Sequence, residues 1–315
     1  MIKTSQNINN NNNNNQNGNI NIDNTTMRDI NISSNCGIRA SKSLTQAGKE
    51  PTDHRKKNQD NYIIEKNINN ILEFNIFAVL DGHSDNGHIV SQLASKYLIK
   101  KFTNLTKDFC DSELIYNFLK KSDYQKIINI FLETDTEIIT KTKFDISLSG
   151  STCVFVIQLG EHIICANIGY SRAILVYDKN GQITFLNYHT IQNRTSPKKK
   201  KKDRITRWNC TYKKAKFCGV IPIPDIVEYN LKWNYKYMVI CSDGVWEFLS
   251  NEEVMEIGNK YFYQNDINEF CKQLLKRSTE IWENEENYID DITIVLSFFE
   301  VYIRIFIYIL FFYYC

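Results

Sequence analysis

Three runs along this chain are apolar at nearly every position: Ile76-Phe77-Ala78-Val79-Leu80, Tyr237-Met238-Val239-Ile240-Cys241 and, interrupted only by a threonine, Ile292-Thr293-Ile294-Val295-Leu296. A short continuous apolar run bounded by polar residues predicts a strand covered on both faces. Cys153 to Gln158, Ile163 to Asn167 and Arg172 to Tyr177 are further β-rich runs, separated by Leu159-Gly160-Glu161 and Ile168-Gly169-Tyr170-Ser171, and they predict an antiparallel meander. Elsewhere the period changes. Ile89, Val90, Leu93, Ala94, Tyr97 and Leu98 recur at helical spacing, as do Phe270, Cys271, Leu274, Leu275, Ile281 and Trp282 behind an Asp266 cap with Glu269 three residues on. Ser250-Asn251-Glu252-Glu253 reads as a capping box that opens another helix. The pattern as a whole predicts an α+β domain with sheets inside and helices outside.

Each of the three long runs meets an acid: Asp81 and Asp243 follow theirs, and the Asp290-Asp291 pair precedes the third. Asp-Gly is a common hairpin dipeptide, and Gly82 and Gly244 invite that reading. Neither is followed by a second alternating strand. Asp81-Gly82-His83 leads into the helix at Ile89, and Asp243-Gly244 leads to the capping box at Ser250. Carboxylates fixed at strand ends can supply the oxygen ligands that Mg²⁺ or Mn²⁺ takes at about 2.0–2.2 Å. A glycine beside them lets the backbone turn sharply and come close to such an ion.

The strings VLDGHSDNGH at 79–88, SGST at 149–152, ANIGYSRAIL at 166–175, SDGVWEFLSNEEV at 242–254 and DDITIVL at 290–296 resemble the ordered motifs of the type 2C, metal-dependent protein Ser/Thr phosphatases. The likeness reaches upstream to Arg55 and Asn58-Gln59-Asp60, so it covers roughly residues 45 to 299 and is thin between about 185 and 217. It implies a four-layer αββα sandwich, two antiparallel β-sheets flanked by helices. It also implies hydrolysis of phosphoserine and phosphothreonine in protein substrates with two Mg²⁺ or Mn²⁺ per active site.

By the same resemblance Asp81 would bridge both cations, the Gly82 carbonyl would complete one sphere, Asp243 and Asp290 would bind the other, and Gln59 and Asp60 would belong to the metal set. Two cations about 3.5–4 Å apart acidify a water between them and align it with phosphorus, so no covalent phosphoenzyme is needed. Arg55 matches a phosphate-gripping arginine, whose forked guanidinium suits a phosphate dianion. The bland reading makes it a solvated neighbour of Lys56 and Lys57. His83 would protonate the leaving oxygen, a role that a side chain with a pKa near about 6.5 can fill.

Several positions depart from the family pattern. Gln59 stands where many members have Glu, which predicts a more weakly held cation. Tyr170 stands where the family usually reads Asp, a residue that helps hold an additional, weakly bound cation. Ser84 replaces a usual Gly and Asp291 a usual Asn. Between Asn187 and Val220 the expected flap motif is shortened, and a Lys198 to Lys202 run takes its place in a basic region near 189–217. Tyr170 and the flap motivate an alternative, a catalytically weakened pseudophosphatase that binds phosphoproteins.

Composition sets limits around this core. At 315 residues and 43% hydrophobic the chain can bury a full core, and a net charge of +2 gives no bulk attraction to nucleic acid. Nine scattered cysteines form no C-x-x-C pair, which predicts free thiols in a reducing compartment, cytoplasmic with a nuclear location left open by the lysine run. Residues 1–35 hold an unbroken Asn9 to Asn15 run and read as a disordered extension with neither a secretory signal nor a Met-Gly start. The catalytic domain is expected at 36–299, followed by a 300–315 tail. Ile305 to Cys315 is uncharged over eleven residues, short of the ~20 that cross a bilayer, so no membrane span is expected, and the protein is expected to be a monomer.

Overall fold

The computed structural model describes residues 33–52, 56–187 and 221–304. In chain order the strands are β1 (Ser33–Gln46), β2 (Asn61–Glu65), β3 (Phe74–Leu80), β4 (Gly82–His83), β5 (Gly150–Ser151), β6 (Cys153–Leu159), β7 (His162–Ile168), β8 (Arg172–Lys179), β9 (Gln182–Asn187), β10 (Asp225–Asn230), β11 (Tyr235–Cys241) and β12 (Ile292–Arg304). The helices are α1 (Gly87–Leu105), α2 (Ser112–Lys121), α3 (Gln125–Lys141), α4 (Asp243–Trp246), α5 (Asn251–Tyr263) and α6 (Ile267–Glu285). One sheet runs β1-β12-β11-β8-β9, a second runs β10-β7-β6-β3-β2, and β4 pairs with β5 as a small clip. The αββα sandwich expected from the sequence is the architecture found.

Period-two alternation explains why the long runs are apolar throughout. On β3, Phe74, Ile76, Ala78 and Leu80 pack under α1, α2 and α3, while Phe77 and Val79 face the other sheet. On β12, Ile292, Ile294, Leu296 and Phe298 pack under α5 and α6, and Val295 and Phe299 point between the sheets. β11 obeys the same rule until a register shift between Tyr235 and Tyr237 puts these two residues on opposite faces. Each fully buried side chain of this size stabilises the fold by roughly 1.5–3 kcal/mol.

Helix signals hold locally. Ser250 accepts from the Glu253 amide while Glu253 bonds back, completing the capping box of α5. Asp266 caps α6 by accepting from the Glu269 amide, but the Glu269 carboxylate turns to Gln273.

The meander needs correction. β6 and β7 are antiparallel neighbours, but β8 leaves for the other sheet and pairs with β11 and β9. Both sheets are covered on both faces, so the apolar pattern of β8 fits either one. The crossing is made at Gly169, whose φ of +93° is left-handed and whose missing Cβ leaves room for Thr152. Residues Ser34–Arg304 form a compact unit in which β1 and β12 lie side by side. Cys110, Cys153, Cys165, Cys241 and Cys271 are free, and burial pushes the thiols of Cys153, Cys165 and Cys241 upward, as expected for thiols that fill space in strands.

Candidate metal centre

Four strand ends meet at one end of the sandwich. In the β2–β3 ladder Asn61 pairs with Leu80, so Asp60 and Asp81 stand one step further along, on adjacent strands. In the other sheet Cys241 pairs with Ile294, which brings Asp243 beside the start of β12 and the Asp290-Asp291 pair. Asp60, Asp81, Asp243 and Asp290 act on one another electrostatically. Burial pushes the Asp60 carboxyl up to about 7, helped by the charges of Asp291 and Asp290 and opposed by the hydroxyls of Thr293 and Ser242. Burial also pushes Asp243 up to about 6, with the Asp290 charge adding to it. Asp81 is raised as well, first by burial and then by Asp243, Asp60 and Asp290.

The surrounding residues fix these acids in place. Thr152 donates its amide to the Asp81 carbonyl at 2.9 Å and accepts from the Asp81 amide on its hydroxyl at 3.1 Å. Its hydroxyl also meets Ser171 at 2.6 Å, tying the SGST and YSR motifs to Asp81. Arg172 bonds Asn251 at 2.8 Å and lies over the Trp246 ring, whose Nε1 donates to the Arg172 carbonyl. Asp291 is 4% exposed and takes the amides of Gly48 and Gln59 at 2.8 and 2.9 Å, so it pins two loops by their backbones. A Cβ on Gly244 would come within 2.1 Å of the Asp291 carbonyl, and the Gly244 carbonyl itself accepts from Trp282, so close packing accounts for this glycine.

The predicted site residues divide into groups. Asp60, Asp81, Gly82, Asp243 and Asp290 come together at the strand ends. Gln59 precedes them, but its amide nitrogen is spent on the Ser84 carbonyl at 2.7 Å, so it also braces the 84–87 turn. His83 is exposed in β4, two residues from Asp81. Arg55, the basic 189–217 region and the 305–315 tail lie outside the described residues. Lys56, Thr152, Ser242 and Thr293 are site residues to which the sequence assigned no role of their own, and Asp291 was noted there only as half of the acid pair and as standing where Asn is usual. Lys56 passed as part of a solvated basic cluster, yet its Nζ stands 2.5 Å from Asp290 Oδ1 and 3.6 Å from Asp291 Oδ2.

The donor set fits a hard divalent cation. Both Asp60 oxygens are buried without a hydrogen bond of ordinary geometry, and the carboxyls are raised by crowding that a cation relieves. Among the described residues no three His, Cys, Asp or Glu side chains are arranged as ligands around one point, and the ammonium of Lys56 stands among the acids instead.

The family model for protein phosphatase 2C matches residues 46–198 and 198–282. The chain belongs to the protein phosphatase 2C family. Members of this family are protein serine/threonine phosphatases. A relative named probable protein phosphatase 2C 35 from Arabidopsis thaliana is 25% identical, the alignment covering 80% of this chain and 82% of that one. Among solved structures, a serine-threonine phosphatase 2C from Toxoplasma gondii shares the fold with a TM-score of 0.65 at 15% identity, over 82% of this chain and 94% of that one. The catalytic domain of the protein phosphatase PstP, solved in complex with 2 manganese ions, matches with a TM-score of 0.51 at 18% identity over 85% and 99% of the two chains. No helix among the described residues is long and apolar enough to cross a membrane.

Proposed function

We propose that this phosphatase 2C chain hydrolyses phosphoserine and phosphothreonine in proteins with two divalent cations, Mg²⁺ or Mn²⁺, held by Asp60, Asp81, the Gly82 carbonyl, Asp243 and Asp290, with Gln59 at the margin. The observation that carries the reading is the meeting of four aspartates from four strand ends, three of them raised by burial and mutual charge. The manganese pair in the PstP catalytic domain supports the choice of metal. When bound, the cations would acidify the attacking water and offset phosphate charge.

The chain's own residues supply the rest. Thr152, braced by Ser171, holds Asp81 by its backbone, so its carboxylate is positioned without a flexible loop. Asp291 keeps Gly48 and Gln59 at the mouth of the site. Arg55 would hold phosphate oxygens, and His83, exposed beside the acids, would give a proton to the serine or threonine oxygen as its bond to phosphorus breaks. A cytoplasmic monomer acting on phosphoproteins remains the accompanying proposal.

The test is Mn²⁺-dependent phosphate release from a phosphothreonine peptide by the full chain, beside Asp81→Asn. We expect turnover that needs added cation and is lost in the variant. A folded wild-type protein that binds phosphopeptide but releases no phosphate at saturating Mn²⁺ would establish the pseudophosphatase instead.

A further inference from the structure

Lys56 is the one basic side chain that the described geometry puts into ion-pair contact with the acids of the site. Its amide donates to the Gly48 carbonyl at 3.3 Å, and a Cβ on Gly48 would come within 2.7 Å of Lys56 Cε. Glycine at 48 therefore leaves the lane through which the lysine stem reaches the acids. At the end of that lane Nζ donates to Asp290 Oδ1 at 2.5 Å and lies 3.6 Å from Asp291 Oδ2.

We propose that Lys56 is a tethered cation that neutralises the acid cluster of the metal-free enzyme and must swing away from Asp290 for the divalent ions to bind. The inference rests on the metal site proposed above. A divalent ion takes carboxylate oxygens at about 2.0–2.2 Å, and an ammonium already 2.5 Å from Asp290 Oδ1 would occupy that place and repel it by like charge. Metal loading is then an exchange of one cation for another. The exchange keeps the empty site folded and sets a threshold concentration for activation.

Metal-free wild type, Lys56→Met and Lys56→Arg distinguish the possibilities by Mn²⁺ calorimetry and melting temperature. Lys56→Met should melt lower without metal, bind Mn²⁺ about tenfold more tightly, and lose its melting deficit at saturating Mn²⁺. Lys56→Arg should restore metal-free melting. Equal or weaker Mn²⁺ binding by Lys56→Met overturns the proposal, and absence of Mn²⁺ binding in wild type overturns the metal site along with it. A second readout needs no variant. Reductive dimethylation followed by mass spectrometry should leave Lys56 protected in metal-free wild type and labelled after Mn²⁺ is added, whereas labelling that ignores Mn²⁺ counts against the exchange.

Discussion

Thr152 grips the backbone of Asp81 twice, its amide donating to the Asp81 carbonyl at 2.9 Å and its hydroxyl accepting from the Asp81 amide at 3.1 Å. The aspartate sits at the boundary between β3 and the β4 clip, where no ladder partner would otherwise satisfy its amide. Thr152→Val keeps the shape and removes the acceptor, leaving a shielded N–H unpaired at a cost of about 1–3 kcal/mol. Turnover should fall with it, because the carboxylate loses its fixed position. Thr152→Ser should recover both. Urea denaturation and phosphopeptide turnover measured on the two variants decide the point, and a Val variant as active as wild type would show that Asp81 is held by other means.

Acid titration gives a prediction with a definite sign. In the metal-free fold Asp60 is pushed up to about 7 and Asp243 up to about 6, with Asp81 raised too, whereas an unfolded aspartate titrates near about 3.9. Folding takes up protons between these values, so metal-free stability falls as pH rises from about 4 to about 7 and levels off above. Divalent cations compete with those protons. The rise in melting temperature produced by saturating Mn²⁺ should therefore be larger at about pH 8 than at about pH 5.5. The reverse order would place the cation somewhere other than these acids.

Ser84 has a φ of +67°, in the left-handed region, and its carbonyl accepts from both the Gln59 side chain and the Gly87 amide. A residue with a Cβ pays roughly 1 kcal/mol there, offset in part by the greater freedom of glycine when unfolded. Ser84→Gly should stabilise the protein by roughly 0.5 kcal/mol, with the denaturant slope unchanged, while Ser84→Ala should gain nothing. A destabilised glycine variant would mean that the serine hydroxyl contributes more than the strain costs.

Strands and acids were legible in the sequence because their signals are local. Asp81 and Asp243 follow apolar runs, and Ser250 with Glu253 writes its helix start in four residues. Sheet membership was not legible, since β8 is apolar on both faces whichever sheet it joins and only the turn at Gly169 decides. The contacts of Lys56 and Asp291 were not legible for a related reason. Their partners lie more than 200 residues away, Lys56 with Asp290 and Asp291 with Gln59, and a lysine beside a second lysine looks solvated until the fold closes. Thr152 was visible as a motif letter, but its work is done through the backbone of a distant residue.

Tyr170 separates two accounts of its departure from the family pattern, and its placement now favours one of them. The side chain is 59% exposed, so it is not a core tyrosine packed into the turn. Its neighbour Ser171 is 1% exposed and bonded to Thr152, which in turn holds Asp81, so the turn carrying Tyr170 is joined to the acid cluster through two hydroxyls. An aspartate on that turn would add an anionic oxygen where the family holds an additional, weakly bound cation, and the neutral phenol supplies none. Tyr170→Asp should change the melting temperature little, because an exposed ring contributes little buried area. Turnover should rise, by up to ~10²-fold if charge stabilisation is restored in full, with the gain growing as Mn²⁺ is raised past the level that fills the tight sites. Metal titrations of turnover for both proteins, read beside their melting curves, settle the matter. A folded Tyr170→Asp protein with equal or lower turnover at saturating Mn²⁺ would show that this turn does not limit catalysis and that the tyrosine serves a different purpose on the surface.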